Sequence, residues 1–260
     1  MRKHLTLFFI LIISHLNAQY NETIRTARPG QAIGPFTVGK NILQFQQGIE
    51  YDNNNIEQTS HTYVTSHVVR FGISELIELS AMLDYKSDKN SVNDTLVSTS
   101  GLSNLLVGFR VHLSNQKGIR PATCFQMRLR MPDISKTYGT RYVAPIIVFV
   151  ANWRLPKSTT LTTNWILLYG GNNAIPTGRY VINFSFPVYK KLSSFVENYG
   201  QYRDKTFETR FDCGFAWLLN NNFQFDVSTG YGKNSVADYF ISGGISWRLN
   251  LNKIKTPIQN

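Results

Sequence analysis

The chain is short of cysteine, of long apolar runs and of acidic residues, and each shortage removes a class of protein. Its two cysteines, Cys124 and Cys213, carry no metal-ligand spacing, so neither a zinc site nor a disulfide framework is expected, and both read as small wall residues. Beyond the N-terminus the most apolar stretch is Val143 to Trp153. It is too short to cross a bilayer as a helix and is rich in the β-branched residues that favour strands. His61 and His67 form no metal pair with a spaced carboxylate, and no glycine-rich phosphate loop precedes a helix, so no metal site and no cofactor are expected. Acidic residues number 16 against 27 Lys and Arg, a formal charge of +11. The basic residues are scattered singly and form no stripe, which argues against nucleic acid and leaves lipopolysaccharide and anionic solutes as the fitting partners.

What is present begins with an export signal. Arg2 and Lys3 precede the apolar run Leu5 to Ile13, and Asn17-Ala18 offers a small-residue exit, so residues 1–18 read as a secretory signal cleaved after Ala18. Residues 19–40 form an N-terminal segment in which Pro29 and Pro35 argue against a further strand, and which can fold into a lumen as a plug.

From Leu43 the sequence alternates with period two. Leu43, Phe45, Ile49 and Tyr51 oppose Gln44, Gln46, Gly48 and Glu50. The pattern returns at Val107, Phe109 and Val111 against Gly108, Arg110 and His112, and at Phe223, Phe225 and Val227 against Gln224, Asp226 and Ser228. Helical spacing fits none of these runs, whereas a strand with one apolar and one polar, charged face fits them all. About twelve such strands start near Asn41, His61, Leu76, Leu102, Ala122, Tyr142, Thr159, Arg179, Leu192, Phe207, Phe223 and Tyr239.

The connections sort into short ones, such as Tyr189 to Lys191, and longer ones, such as Lys86 to Gly101, Pro132 to Arg141 and Gly200 to Thr206, in strict alternation. Short turns at one end and long loops at the other, on an even number of strands, are what a transmembrane barrel requires. The expected fold is therefore all-β: an antiparallel up-and-down transmembrane β-barrel of about twelve strands over residues 41–249, followed by a tail at 250–260. Tyr51, Tyr85, Trp153, Trp165, Tyr169, Tyr199, Trp217 and Trp247 fall near strand ends and are expected in the two interfacial girdles.

Thr26-Ala27-Arg28-Pro29-Gly30-Gln31, then Pro35-Phe36-Thr37-Val38 and Leu43-Gln44-Phe45-Gln46-Gln47-Gly48, resemble the opening of an outer-membrane family named for a MetA pathway of phenol degradation. Phe195-Val196-Glu197-Asn198-Tyr199-Gly200 and Gly244-Ile245-Ser246-Trp247-Arg248-Leu249 echo it further on, and the resemblance covers nearly the whole mature chain. It departs from the family at Ala27 and Gln46, where acidic residues are usual. The resemblance implies a transporter-like barrel in the bacterial outer membrane. Ser242, Gly244, Trp247 and Leu249 also resemble the terminal-strand signal read by the barrel-assembly machinery.

The expected function is a channel or transporter for small, hydrophobic or aromatic compounds, with Glu50, Asp84, Arg110, Arg128, Arg130, Asp226 and Arg248 lining the lumen and no catalytic residue. Two alternatives remain. One is a structural or adhesive surface barrel presenting the loop Lys86 to Gly101. The other is an outer-membrane lipid hydrolase using His112 and Ser114, which two-residue spacing would set on one face of a strand; the pair superficially resembles that of outer-membrane phospholipase A, which implies a third member on the next strand, where Gln126 is the nearest residue.

Overall fold

A computed structural model describes residues 22–54, 60–92, 95–232 and 238–254; the expected signal at 1–18 and the end of the tail lie outside them. Twelve antiparallel strands close into one barrel, each pairing with its sequence neighbours and β1 with β12. They are β1 (Ile42–Asn54), β2 (Ser60–Gly72), β3 (Ile77–Val92), β4 (Thr95–Ser114), β5 (Ala122–Arg130), β6 (Ala144–Arg154), β7 (Thr160–Tyr169), β8 (Pro176–Tyr189), β9 (Leu192–Arg203), β10 (Thr206–Asn220), β11 (Phe223–Tyr231) and β12 (Tyr239–Asn250). One helical turn, Leu251–Ile254, follows β12. Closure gives every wall strand two partners, so no sheet edge is left in the wall.

The alternation sets which face is which. Along β11 burial switches at every residue, with Gln224, Asp226 and Ser228 turned in and Phe225, Val227 and Tyr231 turned out. The outward apolar side chains are exposed as a continuous set rather than singly: Ile49 is 55% exposed, Trp165 57%, Phe211 64% and Ile241 52%. Water does not tolerate an apolar surface of that extent, whereas hydrocarbon does. No helix among the described residues is long and apolar enough to cross a membrane. Trp247 stacks on Phe45, and Tyr51 packs between Tyr63 and Tyr239, near the two ends of the apolar band.

Three expectations change. The stretch Lys86 to Gly101 is not a loop but the far part of the β3–β4 hairpin, paired from Lys86↔Gly101 to Val92↔Thr95. Above the membrane a strand needs no apolar face, so its Ser, Thr and Asn residues pair without showing alternation. The connection between β9 and β10 is likewise a two-residue turn, Asp204 and Lys205, both at positive φ. That is the backbone a tight hairpin demands, and it breaks the strict alternation of connection length. Tyr199 faces the interior, not the girdle, because it lies on the inward set of β9 with Phe195 and Glu197.

Candidate functional site: a plugged lumen beneath a charged vestibule

Residues 22–41 run inside the barrel as a hairpin-shaped plug without strand structure. The first limb enters at the end of the short turns, where Ile24 N–H donates to the Asn221 carbonyl at 2.7 Å and Arg248 donates to the Glu22 carbonyl at 2.6 Å. The Arg25 carbonyl accepts from Gln44 Nε2 at 3.0 Å and Arg70 Nη1 at 2.8 Å. The second limb returns to β1 past Asn164, which accepts from Ile33 N–H at 2.8 Å and donates to the Ile33 carbonyl at 3.0 Å. His112 Nδ1 then donates to the Pro35 carbonyl at 3.0 Å, Arg110 donates to the Phe36 carbonyl at 3.1 Å, and Val38 N–H donates to Glu78 at 2.9 Å. The limbs touch where the Arg25 guanidinium lies 4.1 Å over the Phe36 ring, which stacks on His112 at 5.2 Å. A segment without regular structure has no backbone partners of its own, so the polar inner wall supplies them.

Two features fix the tip. The Arg28 guanidinium donates to Asp226 Oδ1 at 3.1 Å and Ser242 Oγ at 2.9 Å. It occupies a recess made by two glycines paired across β1 and β12, Gly48 and Gly244; a methyl group on either would overlap it. One step on, Gly30 takes positive φ against Phe195, and the next two backbone N–H groups, of Gln31 and Ala32, donate to the Glu197 carboxylate at 2.7 and 3.0 Å. Asn183 Nδ2 adds a third donor at 3.0 Å. Ile33 packs on the inner apolar cluster of Cys124, Val148 and Val150.

The plug separates two cavities. The lower, of about 680 Å³, is lined by Ala32 and its neighbours in the plug and by the bases of β6 to β11. The upper, a vestibule of about 550 Å³ at the long-loop end, has Gln31 in its floor. Adjacent residues of the tip thus face different compartments, and the bonds to Glu197 hold the partition.

The expected lumen residues all point inward but do not form one site. Arg110, Asp226 and Arg248 bind the plug, Arg110 also donating to Gln126 Oε1 at 3.0 and 2.7 Å. Asp84 accepts from Asn104 at 2.8 Å, Arg130 donates to the Gly170 carbonyl at 3.4 Å, and Arg128 lies 3.8 Å from the Met82 sulfur. Glu50 lines the vestibule. The expected lumen set omits several residues the site uses. Arg70 and Glu78 form a buried two-bond ion pair at 2.7 and 2.8 Å below the plug. Glu197 and Asp212 are cross-strand neighbours. Arg179 and Arg210 line the vestibule. The signal for the plug contacts was the pair of inward glycines, Gly48 and Gly244, small residues where a wall facing only water has no need of them.

The His112–Ser114 pairing does not form. An irregularity in the β4–β5 register pairs His112 with Cys124 but Ser114 with Thr123, so Ser114 turns to the opposite face and its Oγ lies 2.7 Å from Thr123 Oγ1. His112 Nε2 lies 3.0 Å from the Asn115 side-chain amide. Gln126, the expected third member, is committed to Arg110. Among the described residues no group of acidic, histidine or cysteine side chains could hold a metal ion.

Comparison with known proteins places the fold. An outer-membrane channel from Pseudomonas putida F1 superposes with a TM-score of 0.68 at 8% identity, covering 86% of this chain and 100% of that one. The NanC porin superposes with a TM-score of 0.56 at 9% identity, over 80% of this chain and 100% of that one. The β-domain of the Bordetella autotransporter BrkA gives 0.54 at 11% identity, over 80% and 98%. No curated protein matches the sequence. The model of one protein family matches residues 26–249, from the plug to the last strand, and the chain therefore belongs to the family described as "Putative MetA-pathway of phenol degradation".

Proposed function

We propose that this protein is a bacterial outer-membrane channel for small solutes with an apolar or aromatic body, and that solute passage displaces the tip of its N-terminal plug. The observation that carries the reading is the contact at Glu197, where one carboxylate accepts from the backbone N–H groups of Gln31, which lines the vestibule, and of Ala32, which lines the lower cavity. The apolar outer face, the inward polar wall and the fold shared with channels and porins support it. The vestibule's apolar residues Val64, Ile166, Val181 and Phe240 would receive the body of such a solute. A lumen crossed by side chains and a peptide segment suits small solutes rather than polymers.

The test is single-channel recording of the mature protein in planar bilayers, with heat-modifiable gel migration to establish that the barrel is folded. Wild type is expected to give small, infrequent steps and Glu197→Ala larger, longer ones, because the tip loses its anchor. A folded wild type and a folded Glu197→Ala that both pass no current overturn the channel reading.

A further inference from the structure

The vestibule carries a charge arrangement that the channel reading does not use. Glu50 and Asp52 stand on β1, and Arg179 and Arg210 stand on β8 and β10, which lie five and three steps from β1 around the twelve-strand ring. None of these four side chains has an oppositely charged partner at ion-pair distance among the described residues. The other charges of the cavity are neutralised or tied. Lys86 pairs with Asp88 at 2.9 Å. Gln201 accepts from Arg179 Nε at 3.0 Å and donates to Glu208 at 2.9 Å, a cross-strand row that fixes Arg179 in place. Between the two walls lie Val64, Ile166, Val181 and Phe240, and Gln31 of the plug lies beneath.

We propose that the vestibule is a binding site for a small zwitterion with an apolar side group, of the amino-acid class, its carboxylate on the Arg179–Arg210 wall and its ammonium on the Glu50–Asp52 wall. This rests on the channel reading above and narrows its solute. Opposed walls of unlike charge in a low-dielectric cavity set up a field across the lumen. A solute with a positive and a negative end gains at both walls, a singly charged one gains at one wall and is repelled at the other, and a neutral one gains at neither. The two walls stand on separate strands and form no ion pair with one another among the described residues, so a solute can supply a close partner at each, as buried and half-buried charges require. The cavity of about 550 Å³ holds a molecule of this size, and the apolar residues between the walls take its side group.

The experiment is equilibrium dialysis on the purified, folded barrel with four probes of one shape: L-phenylalanine, 3-phenylpropionate, phenethylamine and 2-phenylethanol. Phenylalanine is expected to bind at least about tenfold more tightly than each of the others, since each lacks one or both charge-assisted contacts. Glu50→Gln with Asp52→Asn should reduce phenylalanine binding to the level of 3-phenylpropionate, and Arg179→Gln with Arg210→Gln to the level of phenethylamine. The proposal is overturned if any single-charge or neutral probe binds folded wild type as tightly as phenylalanine, or if none of the four binds. The wild-type series decides the matter even where a double variant does not fold. Dialysis needs no conduction, so binding without current would sink the channel reading alone, and current without preference for the zwitterion would sink this one.

Discussion

The two halves of the lumen treat charge in opposite ways. Below the tip Arg70 is matched to Glu78, Arg110 to Gln126 and the Phe36 carbonyl, Arg28 to Asp226, and Arg248 to Asn222 and the Glu22 carbonyl. Above it, Glu50, Asp52 and Arg210 face a cavity and form no ion pair among the described residues. Both halves are built from the same inward positions of the same strands, so alternation cannot account for the difference. The lower half is filled by peptide, whose carbonyl and N–H groups need fixed partners. The upper half has only Gln31 of the plug in its floor. Matched charge is therefore concentrated where the plug sits, and the binding we propose would fall where it does not.

The sharpest way to break this comparison is to remove one carboxylate from each half. Glu78→Ala leaves Arg70 as a buried cation without its counter-ion and strips Val38 N–H of its acceptor, and it should destabilise the folded barrel by about 3–5 kcal/mol. Glu50→Ala removes a side chain with no ion-pair partner and should change stability by less than about 0.5 kcal/mol. Urea titration of the protein in lipid vesicles measures both, and equal losses would erase the distinction.

Much of the wall was legible in the sequence because a β-barrel writes its two solvents into alternate residues. Ten of the twelve expected strand starts fall within two residues of the observed ones, and the larger shifts are at β4 and β8, which begin earlier, at Thr95 and Pro176. Their early residues lie outside the apolar band, where no period-two pattern is needed. The lower half of the site was less legible for a different reason. Arg70 follows His67-Val68-Val69, where alternation is blurred, and its partner Glu78 sits on the next strand across a turn. Glu197 stood in a family-like motif, but nothing local says that it accepts from residues 31 and 32. Contacts between a plug and a wall span more than a hundred positions and leave no periodic trace.

A smaller effect is expected at the recess that admits Arg28. Gly48→Ala places a methyl group where the guanidinium lies, and overpacking of this kind costs about 1–3 kcal/mol. Because the plug can yield more easily than the wall, the consequence should appear as a loosened tip rather than a broken barrel. Trypsin reports it at the Arg25–Thr26 bond, which the Gln44 and Arg70 bonds to the Arg25 carbonyl hold against the wall. The folded wild type should resist cleavage there, and the folded variant should be cut measurably faster. Equal resistance would mean that the recess does not hold the plug.

The smallest effect belongs to the rim, where the loop 131–143 folds onto the β3–β4 hairpin. Tyr138 donates to Asp88 Oδ2 at 2.8 Å and lies 3.1 Å from the Thr99 carbonyl, while Ser135 Oγ donates to the Leu102 carbonyl at 2.7 Å. These side chains cover the part of β4 that rises beyond its pairing with β5, which ends at Leu106↔Arg130. Burial, together with the hydrogen bond to Asp88, pushes the Tyr138 hydroxyl up from 10.0 to about 12. A phenol with a raised pKa stabilises the fold fully below the unfolded value near 10 and loses that contribution as pH rises through about 12. Tyr138→Phe should thus cost no more than about 1 kcal/mol at neutral pH, and the gap from wild type should close between pH 10 and 12. Ultraviolet titration of the phenolate checks the first half of this claim and urea titration across that range the second. A gap that stays constant with pH would mean that the ring packs on the hairpin without the bond to Asp88, and that the rim is held by shape rather than by that bond.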